Sequence, residues 1–442
     1  MVDVRPFRGL RYNPGKIGDL TSVITPPYDV ISPDQQRAYY ERDPHNIIRL
    51  EFGEEFPEDS PQSNKYTRAA GTLNDWLRDG ILVREGSPAF YLTEHRFPHH
   101  GGYRSYLGLV AAVRLEEFGT GRIRPTEVTM NTPAADRLNL LKSCRANLSP
   151  IMGIFDQKNN DLQSIFKKTI SNKPSATAID NDGVTFNLWV QKDEDFLDSV
   201  SRFFADKIIY IADGHHRYRT ALAYREEQLA ANPNIGLDEP CNFIMMTLIS
   251  STDPGLTLRA THRLVRNIEP EQLAKLRGKL SDHFQIQRLA PSSSDSGKNP
   301  GRWMKALGEA GTRGPALGIY GLKQGSFYLL TPRNIAALQD SLPKDKPAAW
   351  RNLDVSLIHS VILQGMLGID STEKEKESLT YSPDEAKFLR EVDAGKAQLA
   401  FLLNPVPISS VIAVADAGVR MPPKSTYFYP KTAAGLAIYP LF

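Results

Sequence analysis

Apolar residues along this chain follow both strand-like and helical spacings, and they predict a fold that mixes the two elements. The clearest run is Ile-Ile-Tyr-Ile-Ala at 208–212, which predicts a buried strand because β-branched and aromatic residues favour strands. Asp213 and Gly214 interrupt this run, and apolar residues recur at helical spacing from Tyr218 onwards. The pattern therefore predicts a strand, a tight turn and a helix that begins near His215.

The same reasoning predicts further elements. They are strands at 151–155, 243–249 and 411–415, helices that begin at Pro33 and at Asp136, a polar loop or linker at 159–182, and a flexible connection at 291–300. We predict an α+β fold with two regions. Residues 1–235 form an N-terminal α/β region that carries the 213–217 turn. Residues 236–442 form a C-terminal α/β region whose last strand and 422–426 loop pack back on the site.

Composition excludes several classes of protein. The chain has 442 residues, 41% of them hydrophobic and 24% charged, which is ordinary for a globular protein of two or more domains. Its net charge of +2 provides no broad basic surface, so we expect no nucleic-acid or membrane partner. No apolar run is long enough to span a bilayer, and two cysteines do not form a disulfide scaffold, so we expect a cytoplasmic protein.

Cationic side chains are concentrated where the predicted helix begins. His215, His216, Arg217 and Arg219 lie in its first turns, and the positive end of the helix dipole makes each cation there unfavourable by about 0.3–1 kcal/mol. A bound anion would offset this cost, and the amides of a helix N-terminus suit phosphate. Alternatively, Asp213 is a simple N-cap and its neighbours are solvated. Adjacent histidines on a helix point in different directions, so we expect no transition metal.

Other segments carry candidate site residues. Prolines stiffen the loop that holds Tyr28 and Asp29, and Glu127 follows a similar loop. Arg137 lies near a predicted helix start, His262 and Arg263 follow a strand, and Lys424, Ser425 and Thr426 follow two prolines. Each also has a simpler explanation as a rigid turn, a surface charge or a helix cap. The chain lacks the P-loop, GxGxxG, GxSxG and kinase catalytic-loop motifs.

Five segments together resemble the bacterial and archaeal family catalogued as domain of unknown function 1015: 25–32, 136–138, 211–221, 261–265 and 422–431. The resemblance covers nearly the whole chain, and the DGHHRY and PPKSTYFYPK blocks make it specific. In one departure, the family often has a histidine before the acid at Glu127, where this chain has Thr126.

The strand, the Gly-His-His-Arg turn and the helix also resemble the ParB and sulfiredoxin fold. That wider group includes the CTP-dependent switch ParB, the ATP-using sulfiredoxin and free-serine kinases. This resemblance implies a ParB/sulfiredoxin-like mixed sheet with additional α/β segments. It also implies that residues 214–217 hold nucleotide phosphates. The sulfiredoxin cysteine has no counterpart beside Asp213 and Gly214, so sulfinic acid reduction is not expected.

We therefore expect an enzyme that binds ATP, ADP or CTP with magnesium and transfers a phosphoryl group to a small hydroxylated metabolite such as serine. The candidate catalytic residues are Asp213, His215, His216, Glu127 and Asp29, with Asp213 and Glu127 as possible magnesium ligands. The candidate phosphate-binding residues are Gly214, His215, His216, Arg217, Arg137, Lys424, Ser425 and Thr426, and the candidate substrate contacts are Tyr28, His262 and Arg263. The alternatives are a nucleotide-binding switch, in which a homodimer responds to the ligand, and a phosphate-ester hydrolase that needs no nucleotide.

Overall fold

The structure is a computed structural model that describes residues 1–99, 101–128, 132–157, 161–289, 300–323 and 325–442. It is a mixed α/β fold. The strands are β1 (Val4–Arg5), β2 (Leu10–Tyr12), β3 (Leu82–Arg84), β4 (Phe90–His99), β5 (Gly102–Arg114), β6 (Ile123–Pro125), β7 (Ala146–Asn147), β8 (Ile151–Phe155), β9 (Ala176–Ile179), β10 (Thr185–Gln191), β11 (Ile209–Asp213), β12 (Phe243–Ser250), β13 (Thr257–Arg259), β14 (His262–Val265), β15 (Phe284–Leu289), β16 (Leu317–Tyr320), β17 (Phe327–Pro332), β18 (Leu379–Ser382), β19 (Leu399–Leu403), β20 (Tyr427–Tyr429) and β21 (Tyr439–Pro440).

The helices alternate with these strands along the chain. They are α1 (Pro33–Arg42), α2 (Ile48–Glu51), α3 (Lys65–Arg78), α4 (Thr132–Cys144), α5 (Asp161–Ile170), α6 (Glu194–Phe204), α7 (His215–Ala231), α8 (Pro270–His283), α9 (Pro300–Gly311), α10 (Ile335–Asp340), α11 (Ala348–Arg351), α12 (Asp354–Leu357), α13 (Thr372–Ser378), α14 (Glu385–Asp393) and α15 (Ile408–Asp416), with a π-helix at Ile358–Met366. No helix in the described ranges is both long and apolar enough to cross a membrane.

The chain divides into two compact units. The first consists of Met1–Pro125, Asn131–Thr257 and Pro430–Phe442, and the second of Thr126–Met130 and Leu258–Tyr429. The division falls near 257 because β12 pairs with β5 and β8 inside the first unit. The division into 1–235 and 236–442, which follows the positions of the motifs, stays a prediction.

A large mixed sheet forms the centre of the first unit. In the described residues it has nine strands in the order β6-β11-β8-β12-β5-β4-β10-β9, with β1 paired to β5. β11 is parallel to β6 and antiparallel to β8. Its residues Ile209 and Ile211 are fully buried, in a core shared with Phe204 of α6 and Tyr218 of α7. The predicted strand and helix around residue 213 are thereby confirmed.

The second unit contains an antiparallel sheet. Its described strands have the order β15-β17-β16-β19-β14-β18, and they enclose a core with the π-helix and α15. The predicted strand at 411–415 is wrong, because these residues belong to helix α15. Val411, Val414 and Ala415 are its buried residues, and their spacing of three and four is helical.

Local signals place some of the other elements correctly, whereas helix α4 begins at Thr132 and not at the predicted Asp136. The predicted start of α1 is confirmed by a capping box, in which Ser32 Oγ accepts a hydrogen bond from Gln35 N and the Gln35 side chain accepts one from Ser32 N. The prediction of a loop at 159–182 is wrong where the chain forms α5 and β9. In α5, Leu162 and Phe166 are buried in the core of the first unit. Residues 158–160 and most of the predicted connection at 291–300 lie outside the described ranges.

A buried histidine gives the first unit a defined pH dependence. His95 on β4 is 1% exposed, its Nδ1 lies 2.9 Å from the Tyr106 hydroxyl, and burial lowers its pKa from 6.5 to about 3. The folded protein therefore keeps this imidazole neutral at pH values where the unfolded chain protonates it.

We predict that the free energy of unfolding falls as the pH is lowered from about 6.5 towards 3, because the unfolded state alone takes up the proton at His95. Denaturant titrations at pH 7 and pH 5 measure the change. The variant His95→Gln should lose less stability between these values than the wild type. Equal losses in the wild type and His95→Gln would contradict the prediction.

Candidate phosphate site

The turn between β11 and α7 requires a glycine. Gly214 has φ +89° and ψ +26°, in the left-handed region that side chains disfavour. A Cβ atom at this position would lie 2.5 Å from Ile151 Cγ2 on β8. The pairing of β11 with β8 also shifts register between Ile211 and Asp213, as at a β-bulge. These features bring the backbone close to β8 and turn the chain sharply into the helix.

The first turn of α7 contains no acidic residue to balance the positive end of its dipole. His215 is 8% exposed, His216 is partly buried, and the Arg217 side chain is mostly buried. His215, His216 and Arg217 thus lie in the first turn of a helix as expected, and their joint contact with an anion stays a prediction. Backbone amides and cationic side chains share one end of a helix, which is a suitable place for an anion.

Arg217 extends from this turn towards the segment before β8. Its Nη1 donates hydrogen bonds to Ser149 Oγ at 2.9 Å and to the Pro150 carbonyl at 2.8 Å. Its Nη2 lies 3.1 Å from Asp213 Oδ2. The Arg217 side chain is 11% exposed, so three acceptors hold the guanidinium in a mostly dry environment.

Asp213 is held by two cations. Lys431 Nζ forms an ion pair with Asp213 Oδ1, while Arg217 pairs with Oδ2. The carboxylate and the lysine side chain are 13% and 11% exposed. Lys431 belongs to the short segment Pro430–Phe442, by which the chain returns to the first unit. Asp213 therefore links the start of α7 to the C-terminal segment.

Arg217 also lines a cavity of about 50 Å³. The polar residues around this cavity are Glu51, Arg137, Asn147, Ser149, Arg217 and Thr220. Its apolar wall consists of Leu140, Leu141, Ala146, Leu148, Ile151, Ala221 and Ile244. Such a volume holds a few water molecules or one functional group of a ligand.

Glu51 brings a carboxylate into this cavity. It is 2% exposed, and its Oε1 accepts a hydrogen bond of 2.7 Å from Ser149 Oγ. Arg137 Nη1 donates to the Glu51 backbone carbonyl at 2.7 Å, and the Arg137 guanidinium lies 4.0 Å from the centre of the Tyr28 ring. Glu51, Ser149, Arg217, Asp213 and Lys431 thus form a continuous series of polar contacts, which we call the Glu51–Lys431 network.

Comparison with known proteins identifies the family. Residues 4–356 match the family model described as "Protein of unknown function (DUF1015)". The chain belongs to this family. A search of curated proteins gave no match.

Solved structures similar to this DUF1015 protein are distant. A conserved hypothetical protein from Pyrococcus furiosus is 12% identical, with a TM-score of 0.34, over 70% of this chain and 89% of that one. A free serine kinase in complex with AMP is 12% identical, with a TM-score of 0.31, over 70% of this chain and 83% of the kinase. C-terminally truncated SbnI from Staphylococcus aureus is 9% identical, with a TM-score of 0.36, over 75% of this chain and 87% of SbnI.

The remaining candidates in the first unit occupy the cavity or its surroundings. Burial raises the pKa of Tyr28 to about 12, so this phenol, which packs against Arg137, stays neutral at physiological pH. Asp29 follows it in a short 3-10 turn (Tyr28–Val30) and is exposed, with no described hydrogen bond to the Glu51–Lys431 network. Arg137 and Tyr28 are therefore beside the cavity, and Asp29 is not among its lining residues.

The other candidates of this DUF1015 protein lie in the second unit. Glu127 Oε1 accepts hydrogen bonds from Thr426 N at 2.7 Å and from Thr426 Oγ1 at 2.5 Å. Ser425 is 2% exposed, and its hydroxyl donates to the Pro422 carbonyl at 2.7 Å. Lys424 adopts a positive φ of 55°. Glu127, Ser425 and Thr426 thus help to close the 422–426 loop, and their predicted ligand contacts stay predictions.

His262 and Arg263 are buried on β14, each 2% exposed. The His262 Nδ1 atom accepts a hydrogen bond from Leu403 N at 3.2 Å, and burial lowers the pKa of this imidazole to about 4. The Arg263 guanidinium donates to the backbone carbonyls of Thr261 and Lys424. These contacts hold the second unit together, and a role in substrate binding stays a prediction.

Three residues of the Glu51–Lys431 network are absent from the sequence-based candidates: Glu51, Ser149 and Lys431. Glu51 directly follows a segment in which Ile47, Ile48 and Leu50 are fully buried. A carboxylate next to such residues indicates a buried polar site. Lys431 ends the same 422–431 block that supplied Lys424. Their meeting depends on contacts between distant segments, which no local pattern reveals.

We predict that Gly214→Ala destabilises the fold by about 2 kcal/mol or more, because the new Cβ atom is strained at positive φ and overlaps Ile151. Thermal and denaturant unfolding measure the loss. The matched control is Gly71→Ala in α3, where a Cβ atom would meet nothing within 4 Å. That change should stabilise the protein by about 0.5–1 kcal/mol. A Gly214→Ala protein as stable as the wild type would contradict the proposed turn geometry.

Proposed function

We propose that this protein binds a nucleotide or another phosphate-bearing ligand at the start of α7 and transfers a phosphoryl group to the hydroxyl of a small metabolite. The position of Arg217 carries the proposal. Its side chain leaves the first turn of α7 and ends beside Ser149, at the cavity that contains Glu51. One arginine therefore connects a helix N-terminus suited to phosphate with a carboxylate suited to accept a proton.

Phosphate binding would use the backbone and the guanidinium together. The amides of His215 and His216 belong to the first turn of α7, at the end of a helix that suits an anion. Arg217 adds a planar group with several donors, which matches the oxygens of a phosphate. Donors that are already held in place stabilise the charge on a phosphoryl group during transfer without costly reorganisation.

Proton transfer is best assigned to Glu51. As the acceptor hydroxyl attacks phosphorus, a new P–O bond forms, the bond to the nucleotide oxygen breaks, and the hydroxyl proton passes to the carboxylate. Glu51 lines the cavity, whereas both oxygens of Asp213 pair with cations and Glu127 bonds to Thr426. Asp213, Glu127 and exposed Asp29 are therefore less suitable bases than Glu51.

The cavity also limits the acceptor. Its polar wall of Glu51, Arg137 and Ser149 faces apolar residues such as Leu140 and Ile244, so it suits the small end of a polar metabolite. Serine is the first acceptor to test.

Asp213 and Glu127 already form hydrogen bonds and ion pairs with donors of the chain, so neither is arranged as a magnesium ligand. The similarity of the strand, the Gly-His-His-Arg turn and the helix to the ParB and sulfiredoxin fold remains part of this proposal.

The proposal is tested with purified protein, ATP, ADP or CTP, and serine within a pool of hydroxylated metabolites, with magnesium chloride or EDTA. Calorimetry measures nucleotide binding, and ³¹P NMR detects the phosphorylated acceptor. We predict that Arg217→Met weakens nucleotide binding by about 10- to 100-fold, through loss of a charge-assisted contact. Glu51→Gln should retain binding but lose about 100-fold or more in turnover, because the amide cannot accept the proton.

Unfolding temperatures of the variants, measured in parallel, separate these effects from instability, because loss of Arg217 leaves the buried Asp213 carboxylate with one partner fewer. As a surface control, Arg78→Met removes an arginine of α3 whose side chain is 68% exposed. It should change neither the nucleotide affinity nor the turnover. Glutamine at position 51 can still accept the hydrogen bond from Ser149, so the fold should persist. Nucleotide binding without turnover would favour the regulatory switch, and hydrolysis of a phosphate ester without nucleotide affinity would favour the hydrolase. Failure to bind any phosphate-bearing ligand would overturn the proposal.

A further inference from the structure

The segment Pro430–Phe442 is fixed into the first unit along its length. Thr432 Oγ1 donates to the Pro150 carbonyl at 3.3 Å, and Ala434 forms an isolated bridge with Thr25. Tyr439 pairs with Asn147 where β21 meets β7. The contacts with Pro150 and Asn147 join the segment to the same 146–151 region that carries Ser149.

Lys431 is placed by this segment directly at the start of α7. Its Nζ pairs with Asp213 Oδ1, one residue before the Gly214 turn, and its side chain is 11% exposed. An ammonium group has three donors, so it can keep a bond to Asp213 and also bind an oxygen of a phosphate at the helix N-terminus. Lys431 lies beyond residues 4–356, which the family model matches.

A buried pair of side chains holds the backbone next to Lys431. The Tyr106 hydroxyl, on β5, donates to the Pro430 carbonyl at 2.9 Å and lies 2.9 Å from His95 Nδ1. Both side chains are 1% exposed, and their rings stack with centroids 4.6 Å apart. Burial, with the charges of Asp253 and Asp213, raises the pKa of Tyr106 well above 10, so the hydroxyl keeps its proton as a donor.

Donation from the Tyr106 hydroxyl to the Pro430 carbonyl sets the roles of the neighbouring polar atoms. A tyrosine hydroxyl has one proton, and if that proton goes to the Pro430 carbonyl, the hydroxyl must accept from His95 Nδ1–H. The neutral imidazole then presents Nε2 as an acceptor to Thr93 Oγ1 at 3.2 Å, and the single Thr93 hydroxyl proton is shared between this nitrogen and the Gly108 carbonyl at 3.1 Å. His95 thus orients Tyr106, and Tyr106 fixes the peptide that precedes Lys431.

We propose that Lys431 is a phosphate-binding residue of the candidate site and that Tyr106, oriented by His95, is a positioning residue that acts through it. This inference rests on the proposed function and adds to it a residue from the C-terminal segment. The ligand it implies carries at least one phosphate near Asp213 and the first turn of α7.

The experiment compares the wild type with Lys431→Met, Tyr106→Phe and the double variant, with calorimetric titration of ADP, inorganic pyrophosphate and adenosine. We expect Lys431→Met to weaken ADP and pyrophosphate binding by about 10- to 100-fold, as for loss of a charge-assisted hydrogen bond. Adenosine, which has no phosphate, should bind equally to both proteins. Tyr106→Phe should weaken ADP binding by about 3- to 10-fold, as for loss of one neutral hydrogen bond.

The double variant separates positioning from a purely structural effect. If Tyr106 acts through Lys431, Tyr106→Phe should cause no further loss of ADP affinity in the Lys431→Met background. The matched control is Tyr91→Phe, a buried tyrosine on β4 whose hydroxyl bonds the backbone of Phe7 and Gly9. It should lower the unfolding temperature without changing ADP affinity.

Each outcome is decisive. Wild-type affinity for ADP and pyrophosphate in Lys431→Met would overturn the inference and leave the proposed function standing. Additive losses in the double variant would overturn the positioning role of Tyr106. A wild type that binds none of the phosphate-bearing probes would overturn the proposed function together with the inference. Unfolding temperatures of all variants, measured in parallel, identify any loss of binding that follows loss of fold.

Discussion

Asp213 joins three parts of the first unit through one carboxylate. It is the last residue of β11, and its carboxylate forms ion pairs with Arg217 from the first turn of α7 and with Lys431 from the C-terminal segment. All three side chains are more than four-fifths buried, and removal of one partner from such an ion pair typically costs about 3–5 kcal/mol because a buried charge remains. The geometry of the candidate site therefore depends on this carboxylate more than on any other single group.

The same carboxylate explains why cations are tolerated at the positive end of a helix. Arg217 and Lys431 would otherwise add unfavourable charge to the dipole of α7. Asp213 lies just before the helix and holds both cations at its start, with Gly214 allowing the close turn. The arrangement keeps donors in place before any ligand arrives. Such preorganisation is what an anion site needs, because donors fixed by the fold lose little entropy on binding.

Short-range patterns predicted the centre of this arrangement, since the strand, the glycine turn and the helix at 209–231 are encoded by adjacent residues. They failed where two periodicities overlap, as at 411–415, whose apolar residues fit a strand or one face of α15. They also missed Glu51 and Lys431, which reach the site only because α2 and the C-terminal segment pack beside Ser149 and Asp213. Contacts between residues 98 and 218 positions apart leave no local signature.

A crystal structure of the protein with bound ADP would show whether the start of α7 holds a phosphate. We expect a phosphate group there, with its oxygens at about 2.7–3.2 Å from the amides of His215 and His216, the Arg217 guanidinium and Lys431 Nζ. A nucleotide bound away from this helix, with no phosphate oxygen near Arg217, would contradict this expectation.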